Sequence, residues 1–554
     1  MAPGDDTHVA LVVTARGQKG DVAMKTGVQG SVYPGSGSVY NVGHLLSRNA
    51  SPSGFPDRVA VIDTGRCEGR DITYRTLDER ATRCANALSA LGVKTGDRVF
   101  AVLPNRVETL EVLFGCAKIG AVFTPANFRF ASEEIGFLVD DVAAGILIFD
   151  SEYSDKVREL APGRPKLRLL EIGGHGVEAA KAYEECLAAA SESEPVCATA
   201  PDDICMILFT AGTTGRPKGV KLTYRSTFFA CLSNGISASM TTDDVYLGAP
   251  PMFHAGGLTC FQLYMLMIGG KIVVQNRWTA QDTLELIQRY GVTYHFGIAT
   301  QLKMMIQVEG WEKYVGSLRA VNGGGEPQPA ELKHAFINQG IAYVSGYGLT
   351  ETGATGCNWL ACSRDDPTLS KASECMGKPP AFVEVKIVDG AGQETQADEY
   401  GEIIIRREPT GAAGYWNRPE DEARKFRQDW IFTGDLGKRD AEGYFYVVGR
   451  TDDMIISGGE NIYPSEVERV IFGHPKVADV VVVRGRHPQW GQTPKAIIVP
   501  KPGRTLTEEE ILEYVGKNLA SYKKPRKIVI VDSVPRSETG KIDRKAIRKL
   551  YEEI

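Results

Sequence analysis

The chain of 554 residues is too long for one hydrophobic core, because cores stop growing at roughly 250–300 residues, so we expect at least two domains. A net charge of −6, with 24% charged residues, excludes the basic excess that is typical of bulk nucleic-acid binding. Eleven cysteines without a Cys-x-x-Cys pair, and eight scattered histidines, argue against a disulfide framework and against a zinc site.

Residues 1–38 are rich in Gly, Ser and Thr and lack hydrophobic periodicity, which predicts a flexible leader. Asp5 and Asp6 stand where a signal peptide would carry basic residues, and no window reaches the ~18–20 apolar residues of a membrane span. The last three residues, 552–554, do not form a peroxisomal targeting tripeptide. We therefore predict a cytoplasmic protein without a membrane span.

From residue 40 onward, helical and strand patterns alternate. Helical periodicity over 76–91 and 107–119 alternates with β-rich runs over 98–103 and 145–149, and the rhythm continues to residue 297. Such alternation is typical of βαβ units around a largely parallel sheet. The sequence predicts a large α/β N-terminal domain over residues 39–450.

A change of texture near residue 450 marks a second domain. A polar run over 450–453 is followed by about 100 residues of mixed helix and strand patterns, which is within the usual size of a domain. The patterns predict helices over 465–472 and 508–518 and strands over 477–483, 495–499 and 527–531. We predict a small α+β C-terminal domain over residues 451–554, joined to the first domain at a single polar crossing.

The strongest local signal is the loop that follows the β-rich run 204–209. It combines glycines, which let backbone N–H groups approach an anion, with hydroxyl donors and one lysine, and phosphate is the natural ligand of such a loop. It is not a Walker A motif, because Pro217 precedes the lysine and Gly219 follows it. The predicted phosphate-binding residues are Thr210, Gly212, Thr213, Thr214, Gly215 and Lys218.

This loop resembles the phosphate-binding signature of the adenylate-forming superfamily, which comprises acyl- and aryl-CoA synthetases, amino-acid adenylation domains and firefly luciferase. The usual serine before the first glycine is Ala211 here, which removes one donor. Further motifs occur in the family's order from about residue 40 to the end of the chain. The resemblance implies an acyl-adenylate intermediate made from ATP, on a fold whose small C-terminal domain is mobile.

The run from Tyr347 to Glu351 resembles a second signature of the family. An aromatic ring can stack on adenine, a hydroxyl can bond the α-phosphate, and a carboxylate can hold Mg²⁺ against phosphate oxygens. The resemblance implies these roles for Tyr347, Thr350 and Glu351, and it implies ribose contacts for Asp435 and Arg450. It assigns further nucleotide contacts to Gly324, Gly325, Glu326, Gly346 and Gly348.

The C-terminal motifs imply a moving domain that carries two sets of residues. Asp452 falls where the family places its hinge residue. Lys541 matches the catalytic lysine, whose charge would position the carboxylate against the α-phosphate and stabilise the transition state. The residues implied in coenzyme A binding are Gly458, Gly459, Trp490, Tyr522 and Lys524.

The segment 250–257 matches the part of the family that lines the acyl pocket, and its histidine matches the residue that gates the acyl or pantetheine tunnel. No acidic residue stands between Asp244 and Asp282, which argues against the buried carboxylate that an α-ammonium substrate needs. Small neighbours predict a roomy apolar pocket for an aromatic, alicyclic or medium- to long-chain aliphatic acid. The predicted pocket residues are His254, also placed among the catalytic residues, and Gly256, Gly297 and Gly348.

We predict an AMP-forming acyl-CoA synthetase, since no carrier domain follows Lys541 in the remaining residues 542–554. Two alternatives stay open: a fatty-acyl-AMP ligase that loads a carrier protein, and a non-catalytic nucleotide-binding sensor. Nothing in the sequence requires luciferase-like O₂ chemistry. The predicted ligands are a carboxylic acid, ATP, Mg²⁺ and CoA as a co-substrate, without nucleic acid. The oligomeric state is left open, a homodimer included.

Overall fold

The computed structural model describes residues 39–65, 69–210, 217–325, 328–361, 371, 375–457, 460–536 and 542–551. The predicted leader, residues 1–38, lies outside this described part. None of the described helices combines the length and the apolar composition that a bilayer crossing requires. The nine cysteines among the described residues are free thiols.

The described residues form sixteen α-helices, several of which end where the sequence predicts. In chain order, α1 to α16 span Val42–Ala50, Tyr74–Ala90, Val107–Ile119, Ser132–Asp141, Ser154–Leu160, Tyr183–Ala189, Tyr224–Ser237, Ala255–Leu258, Gln262–Ile268, Ala280–Tyr290, Ala299–Ile306, Ala330–Ile337, Pro419–Lys425, Pro464–Phe472, Glu508–Asn518 and Arg544–Tyr551. Helix α3 has the predicted bounds because Gly120 follows it in the left-handed region (φ +70°), where glycine ends helices without strain.

The strands are short in the first two thirds of the chain and longer towards the C-terminus. In chain order, β1 to β27 span Val59–Asp63, Arg70–Thr73, Arg98–Val102, Val122–Pro125, Ile146–Asp150, Arg168–Ile172, Lys181–Ala182, Ile204–Thr210, Lys218–Thr223, Val245–Gly248, Lys271–Val274, Tyr294–Gly297, Ala320–Gly324, Ala342–Tyr347, Cys357–Ala361, Cys375–Gly377, Val385–Val388, Gly401–Arg406, Gly414–Tyr415, Phe426–Arg427, Trp430–Arg439, Phe445–Arg450, Ile455–Ser457, Glu460–Ile462, Val477–His487, Gly491–Pro500 and Lys527–Ile530.

Two eight-stranded sheets with mostly parallel pairing dominate the N-terminal part. The first has the order β15-β14-β13-β12-β10-β11-β1-β2, and the second has the order β19-β9-β8-β4-β3-β5-β6-β7. Strand β5 is buried along its whole length, as expected for a parallel strand covered on both faces. Helices α2, α3, α7 and α9 contribute residues to the core that these sheets share. The predicted α/β fold is confirmed.

A third sheet is built from strands between residues 375 and 450, directly before the C-terminal part of the chain. Strands β16, β22, β21, β18 and β17 are its members in that order, every pairing is antiparallel, and β20 pairs with β21 at the side. The sequence pattern does not distinguish this layer from the βαβ region. Its strands alternate buried and more exposed residues only in part, so the hydrophobic pattern of the sequence did not clearly predict a sheet.

The C-terminal part contains the fourth sheet, in the order β24-β23-β26-β25 with β27 added beside β26. Helices α14 and α15 pack on one face of it, since their apolar residues share one core cluster with β25 and β26. The sheet and its helices all follow Arg450. The boundary between the two predicted domains, between residues 450 and 451, remains a prediction.

His295 is a titratable group buried inside the first sheet. It lies in β12, is fully buried, and its Nδ1 lies 2.9 Å from the carbonyl oxygen of Leu247, to which it can donate. Burial, which disfavours the charged ring, lowers the pKa of His295 from 6.5 to about 4. The folded protein therefore holds this ring neutral over a range of pH in which the unfolded chain protonates it.

We expect the free energy of unfolding to fall as the pH is lowered from about 6.5 to about 4, because only the unfolded chain takes up a proton at His295 there. This residue should contribute about 3 kcal/mol of that loss. In His295→Asn, whose amide can still donate to Leu247, the pH dependence should be weaker by the same amount. Urea unfolding of both proteins between pH 4 and 7 measures it, and identical pH profiles would contradict the assignment.

Candidate active site

Asp435, in the middle of β21, is held between two strands by a phenol and a guanidinium. The hydroxyl of Tyr347, at the end of β14, donates to its Oδ2 at 2.7 Å, and Nη1 of Arg450, at the end of β22, donates to its Oδ1 at 2.9 Å. Asp435 is 6% exposed. Burial first, and then the neighbouring Asp435 carboxylate, raise the pKa of Tyr347 far above its usual value, so the phenol stays a donor. Three predicted nucleotide-binding residues thus meet.

Glu351 forms a second buried carboxylate next to this group. It lies in the short 3₁₀ helix Thr350–Thr352, is 8% exposed, and its Oε1 accepts a hydrogen bond from the Tyr415 hydroxyl at 2.5 Å. Burial and the adjacent carboxylate raise the pKa of Tyr415, which keeps its proton on the oxygen facing Glu351. The carboxylate is therefore fixed in direction while its second oxygen is left for another ligand.

Lys218 completes a line of charged groups. Its Nζ lies 2.9 Å from Asp421 Oδ1 and 5.6 Å from the centroid of the Tyr415 ring, whose hydroxyl donates to Glu351. The hydrogen bond from Lys218 lowers the pKa of Asp421, which stays charged. Thr210 pairs with Lys218 in the β8–β9 hairpin. The predicted loop residues Gly212, Thr213, Thr214 and Gly215 lie outside the described residues.

Lys425, at the end of α13, is a site residue that the sequence analysis missed. Its Nζ donates to the carbonyl oxygen of Thr433 at 2.8 Å. Burial lowers the pKa of Lys425, while Glu351 and Asp435 act in the opposite direction, which places its charge close to both carboxylates. Tyr415 and Asp421 were missed too. Acidic residues after Pro419 do signal a helix start, but nothing in the sequence shows that this helix faces Lys218.

Six charges are therefore brought together, and each is balanced by a neighbour of opposite sign. The cations and the carboxylates are Lys218, Lys425, Arg450, Glu351, Asp421 and Asp435. Guanidinium and ammonium groups bind phosphate as readily as carboxylate. A polyphosphate could therefore take over the Lys218 ammonium, because Asp421 would keep its second ion pair, with Arg424 at 2.8 Å. The chemistry that suits this arrangement is the binding and transfer of a phosphorylated group.

On one face of the first sheet, beside the charged group, glycines leave a bare strip, that is, a strip without side chains. Gly324 and Gly346 are register partners in β13 and β14, and the Phe296 ring lies against Gly324 and against Gly256 of α8. A side chain at Gly297 would instead point to Leu302 and His295, on the other face. Gly348 lies against the backbone at Ala354. The acyl-pocket assignments of these residues remain predictions.

A cavity of about 460 Å³ opens at the carboxyl ends of β3, β4, β5, β10 and β11. A column of rings connects it to His254, which immediately precedes α8. The centroid distances are 5.5 Å from Tyr153 to Phe128, 5.3 Å from Phe128 to Phe253 and 4.4 Å from Phe253 to His254. Its lining includes Arg129, Lys156 and Arg277. Ligands of open α/β sheets bind at such carboxyl ends.

Some of the site residues predicted in the C-terminal part lie among the described residues, and others lie outside them. Asp452 lies in the 3₁₀ helix Thr451–Asp453, where the neighbouring Asp453 is 3.0 Å from Arg548 of α16. Ser457 pairs with Gly491, so Trp490, 40% exposed, lies beside the end of β23. The predicted Gly458, Gly459, Glu326 and Lys541 lie outside the described residues. Tyr522 is 42% exposed and Lys524 lies over Gly516.

Comparison with known proteins identifies relatives over nearly the whole chain. The family model of the AMP-binding enzyme matches residues 48–416, and the model of the AMP-binding enzyme C-terminal domain matches residues 466–541. A feruloyl-CoA synthase of an Amycolatopsis species is 35% identical over 484 residues, which are 87% of this chain and 94% of that protein. A long-chain-fatty-acid–CoA ligase of Mycobacterium tuberculosis is 34% identical over 513 residues, 92% of this chain and 98% of that protein.

Solved structures agree with these matches. The o-succinylbenzoate CoA synthetase of Bacillus subtilis, in complex with its acyl-adenylate intermediate, is similar with a TM-score of 0.79 and 29% identity. The similarity covers 91% of this chain and 97% of that one.

If Asp435 binds the ribose hydroxyls, the protein should bind AMP about 10- to 100-fold more tightly than 2′,3′-dideoxy-AMP, because hydrogen bonds to a buried carboxylate are strong. In Asp435→Ala the two nucleotides should bind with similar affinity. Titration calorimetry measures both affinities.

Asp440→Ala is the matched control, since Asp440 accepts hydrogen bonds from Lys371 and Tyr446 just beyond β21, five residues from Asp435. It should cost stability and leave the preference intact. A preference for AMP that survives in Asp435→Ala would show that this carboxylate does not bind the ribose.

Proposed function

The chain belongs to the family of AMP-binding enzymes and is an ATP-dependent carboxylate–CoA ligase, and we propose that its acid is aromatic and carries no α-amino group. The relatives include ligases named for an aromatic and for a fatty acid. The Phe296 ring, which lies against Gly324 and the predicted pocket residue Gly256, supports the aromatic choice, since flat rings pack on one another.

The observation that carries this function is the balanced group of charges around Glu351 and Asp435. In the first half-reaction a carboxylate oxygen of the acid attacks the α-phosphorus of ATP, and the bond to pyrophosphate breaks. We assign Asp435 and Arg450 to the ribose, the ring of Tyr347 to adenine and Thr350 to the α-phosphate. Lys218 would exchange Asp421 for the phosphates. These groups are in place before the substrate arrives, so little reorganisation is needed.

Mg²⁺ is the metal that this family's chemistry implies, and the donor set fits it. Among the described residues no group of three or more His, Cys, Asp or Glu side chains could form a metal cluster by itself. Mg²⁺ does not need one, because it binds through one or two carboxylates together with substrate phosphates and water. We assign it to Glu351, whose Oε1 is already engaged by Tyr415. Once bound, the ion would neutralise charge on the phosphate oxygens.

In the second half-reaction the sulfur of coenzyme A attacks the acyl carbonyl carbon and AMP leaves. The cavity of about 460 Å³ is our proposed thiol route, because the column of rings beside it leads to His254 and its lining includes Arg129, Lys156 and Arg277. Those cations suit the phosphates of the co-substrate. Gly458, Gly459, Trp490, Tyr522 and Lys524 would supply the other wall from the C-terminal part.

The hinge proposal rests on how α16 is tied to Asp453. Arg548 lies 3.0 Å from this carboxylate, and its Nη1 also lies 3.5 Å from the carbonyl oxygen of Asp452. Helix α16 begins three residues after Lys541. A rotation about Asp452 would therefore move Lys541 away from the acid and bring Gly458 and Gly459 towards the thiol.

The function is tested by ATP–pyrophosphate exchange with a panel of carboxylic acids, followed by AMP release with and without coenzyme A. We expect exchange that depends on an aromatic acid, and AMP release that depends on coenzyme A. Lys218→Ala should lower kcat/KM for ATP by about 10²–10³, the usual cost of losing one such electrostatic contact.

Lys221→Ala is the matched control on the same strand, because Lys221 pairs with Glu422 instead of Asp421. It should change the rate little. Nucleotide binding without exchange for any acid would mean a sensor, and AMP release that needs a carrier protein in place of coenzyme A would mean a carrier-loading ligase.

Single substitutions should slow one half-reaction without slowing the other. Lys541→Ala should lower acyl-adenylate formation by about 10²–10³ and leave thioester formation from a preformed acyl-adenylate nearly unchanged, because its charge serves only the first step. Asp452→Pro should do the reverse, since a fixed φ at the hinge restricts the rotation. Rapid-quench kinetics of each step measure both effects.

Lys545→Ala, an exposed lysine on α16, is the control and should alter neither step. Equal loss of both steps in either test variant would contradict the division of labour.

A further inference from the structure

One face of helix α7 lies towards the first sheet, at the end where Gly324 and Gly346 form the bare strip. Ala230, Asn234 and Ser237 are spaced at i, i+4 and i+7 and so lie on one side of the helix. The methyl group of Ala230 lies against Gly353, and the Asn358 side chain of β15 donates to Ser237 Oγ at 2.7 Å. Asn234, between these two contacts, therefore faces the sheet.

The Asn234 side chain is buried with an unused donor. The residue is 4% exposed, and its Nδ2 has no hydrogen-bond partner among the described residues. Its backbone carbonyl is occupied, since it accepts from the Ser237 hydroxyl at 2.9 Å. Buried amide groups in proteins are almost always hydrogen-bonded, so this donor is open to an acceptor atom of a ligand.

The face of the first sheet around Gly346 is polar at one place and aromatic at another. Gly346 pairs with Asn358, and the side-chain oxygens of Asn358 and Asn322 both lie within 4 Å of the point where a Gly346 side chain would stand. Phe296 is the register partner of Asn322 on the same face. An occupant of this strip would have its flat part against Phe296 and a polar part near the three asparagines.

The chemistry of these groups selects the kind of polar atom. Asparagine is neutral, and its Nδ2 can only donate, so the missing partner is an acceptor. The polar side chains of this helix face and of the facing strands, Ser237, Asn322 and Asn358, are neutral as well. A neutral oxygen suits this setting better than a second carboxylate, whose charge would be buried without a cation.

Resting on the proposed function, we propose that Asn234 is a specificity-determining residue that donates a hydrogen bond to an oxygen substituent on the ring of an aromatic acid. The substrate class is then an aryl acid with a hydroxyl, methoxy or similar group at the end away from the reacting carboxylate. An aryl acid without such an oxygen would fill the same space and leave Asn234 without a partner, which weakens its binding.

The test compares acids of equal shape in the wild-type enzyme. 4-Methoxybenzoate is paired with 4-ethylbenzoate, and 4-methoxycinnamate with 4-ethylcinnamate, so that only an oxygen is exchanged for a methylene group. We expect kcat/KM in ATP–pyrophosphate exchange to favour the methoxy acid by about 10- to 100-fold in at least one pair, because an unmet buried donor costs that much. A ratio near one in both pairs would overturn the proposal.

Asn234→Leu, which keeps the size of the side chain, should reduce the ratio to one or invert it. Ser233→Ala is the control, because Ser233 lies on a neighbouring side of α7 and donates to the Ala381 carbonyl oxygen, and it should leave the ratio unchanged. A ratio that persists in Asn234→Leu would also overturn the proposal. If Asn234→Leu does not fold, the wild-type ratio alone still decides.

The outcomes separate this inference from the function on which it rests. Exchange with aliphatic acids but with none of the aryl acids would contradict the substrate class while leaving the ligase intact. Exchange with no acid at all would contradict the proposed function itself.

Discussion

Two buried carboxylates, Glu351 and Asp435, lie at the centre of the site that we propose for ATP. Each is held by a phenol, from Tyr415 and Tyr347 respectively, and both lie near the ammonium of Lys425. Charge that is balanced within the protein does not need to be solvated by water. This balance makes the third sheet necessary, because β21 supplies Asp435 and the chain leading into it supplies Tyr415, Asp421 and Lys425.

In the proposed mechanism, the same sheet lets one site serve two reactions in turn. Arg450 ends β22 within the site, and the next residues form the 3₁₀ helix with Asp452. The proposed nucleotide contacts and the proposed hinge therefore follow each other along the chain. A change of hinge angle can leave Asp435 in place while it changes which part of the C-terminal domain faces the acyl group. This is why hinges need only a few residues that absorb the change in backbone angles.

The sequence allowed prediction of the elements with local causes. Helices α3 and α15 were located to the residue, since a glycine follows one and a threonine cap precedes the other. Motifs also singled out Tyr347, Asp435 and Arg450, whose nucleotide roles remain predictions. Their contacts to one another could not be predicted, because the antiparallel sheet that joins them is set by packing between segments far apart in the chain. The positions of Lys425, Asp421 and the Asn234 face of α7 could not be predicted for the same reason. Lys541 lies outside the described residues.

The most direct test of the account follows oxygen atoms from the acid. An aromatic acid labelled with ¹⁸O in both carboxylate positions is converted with ATP and coenzyme A, and AMP and pyrophosphate are analysed by mass spectrometry. The account predicts one ¹⁸O atom in each AMP and none in pyrophosphate, because the bond from the carboxylate oxygen to the α-phosphorus survives when the thiol displaces AMP. AMP without label would contradict an acyl-adenylate intermediate, and with it the assignment of the charged site.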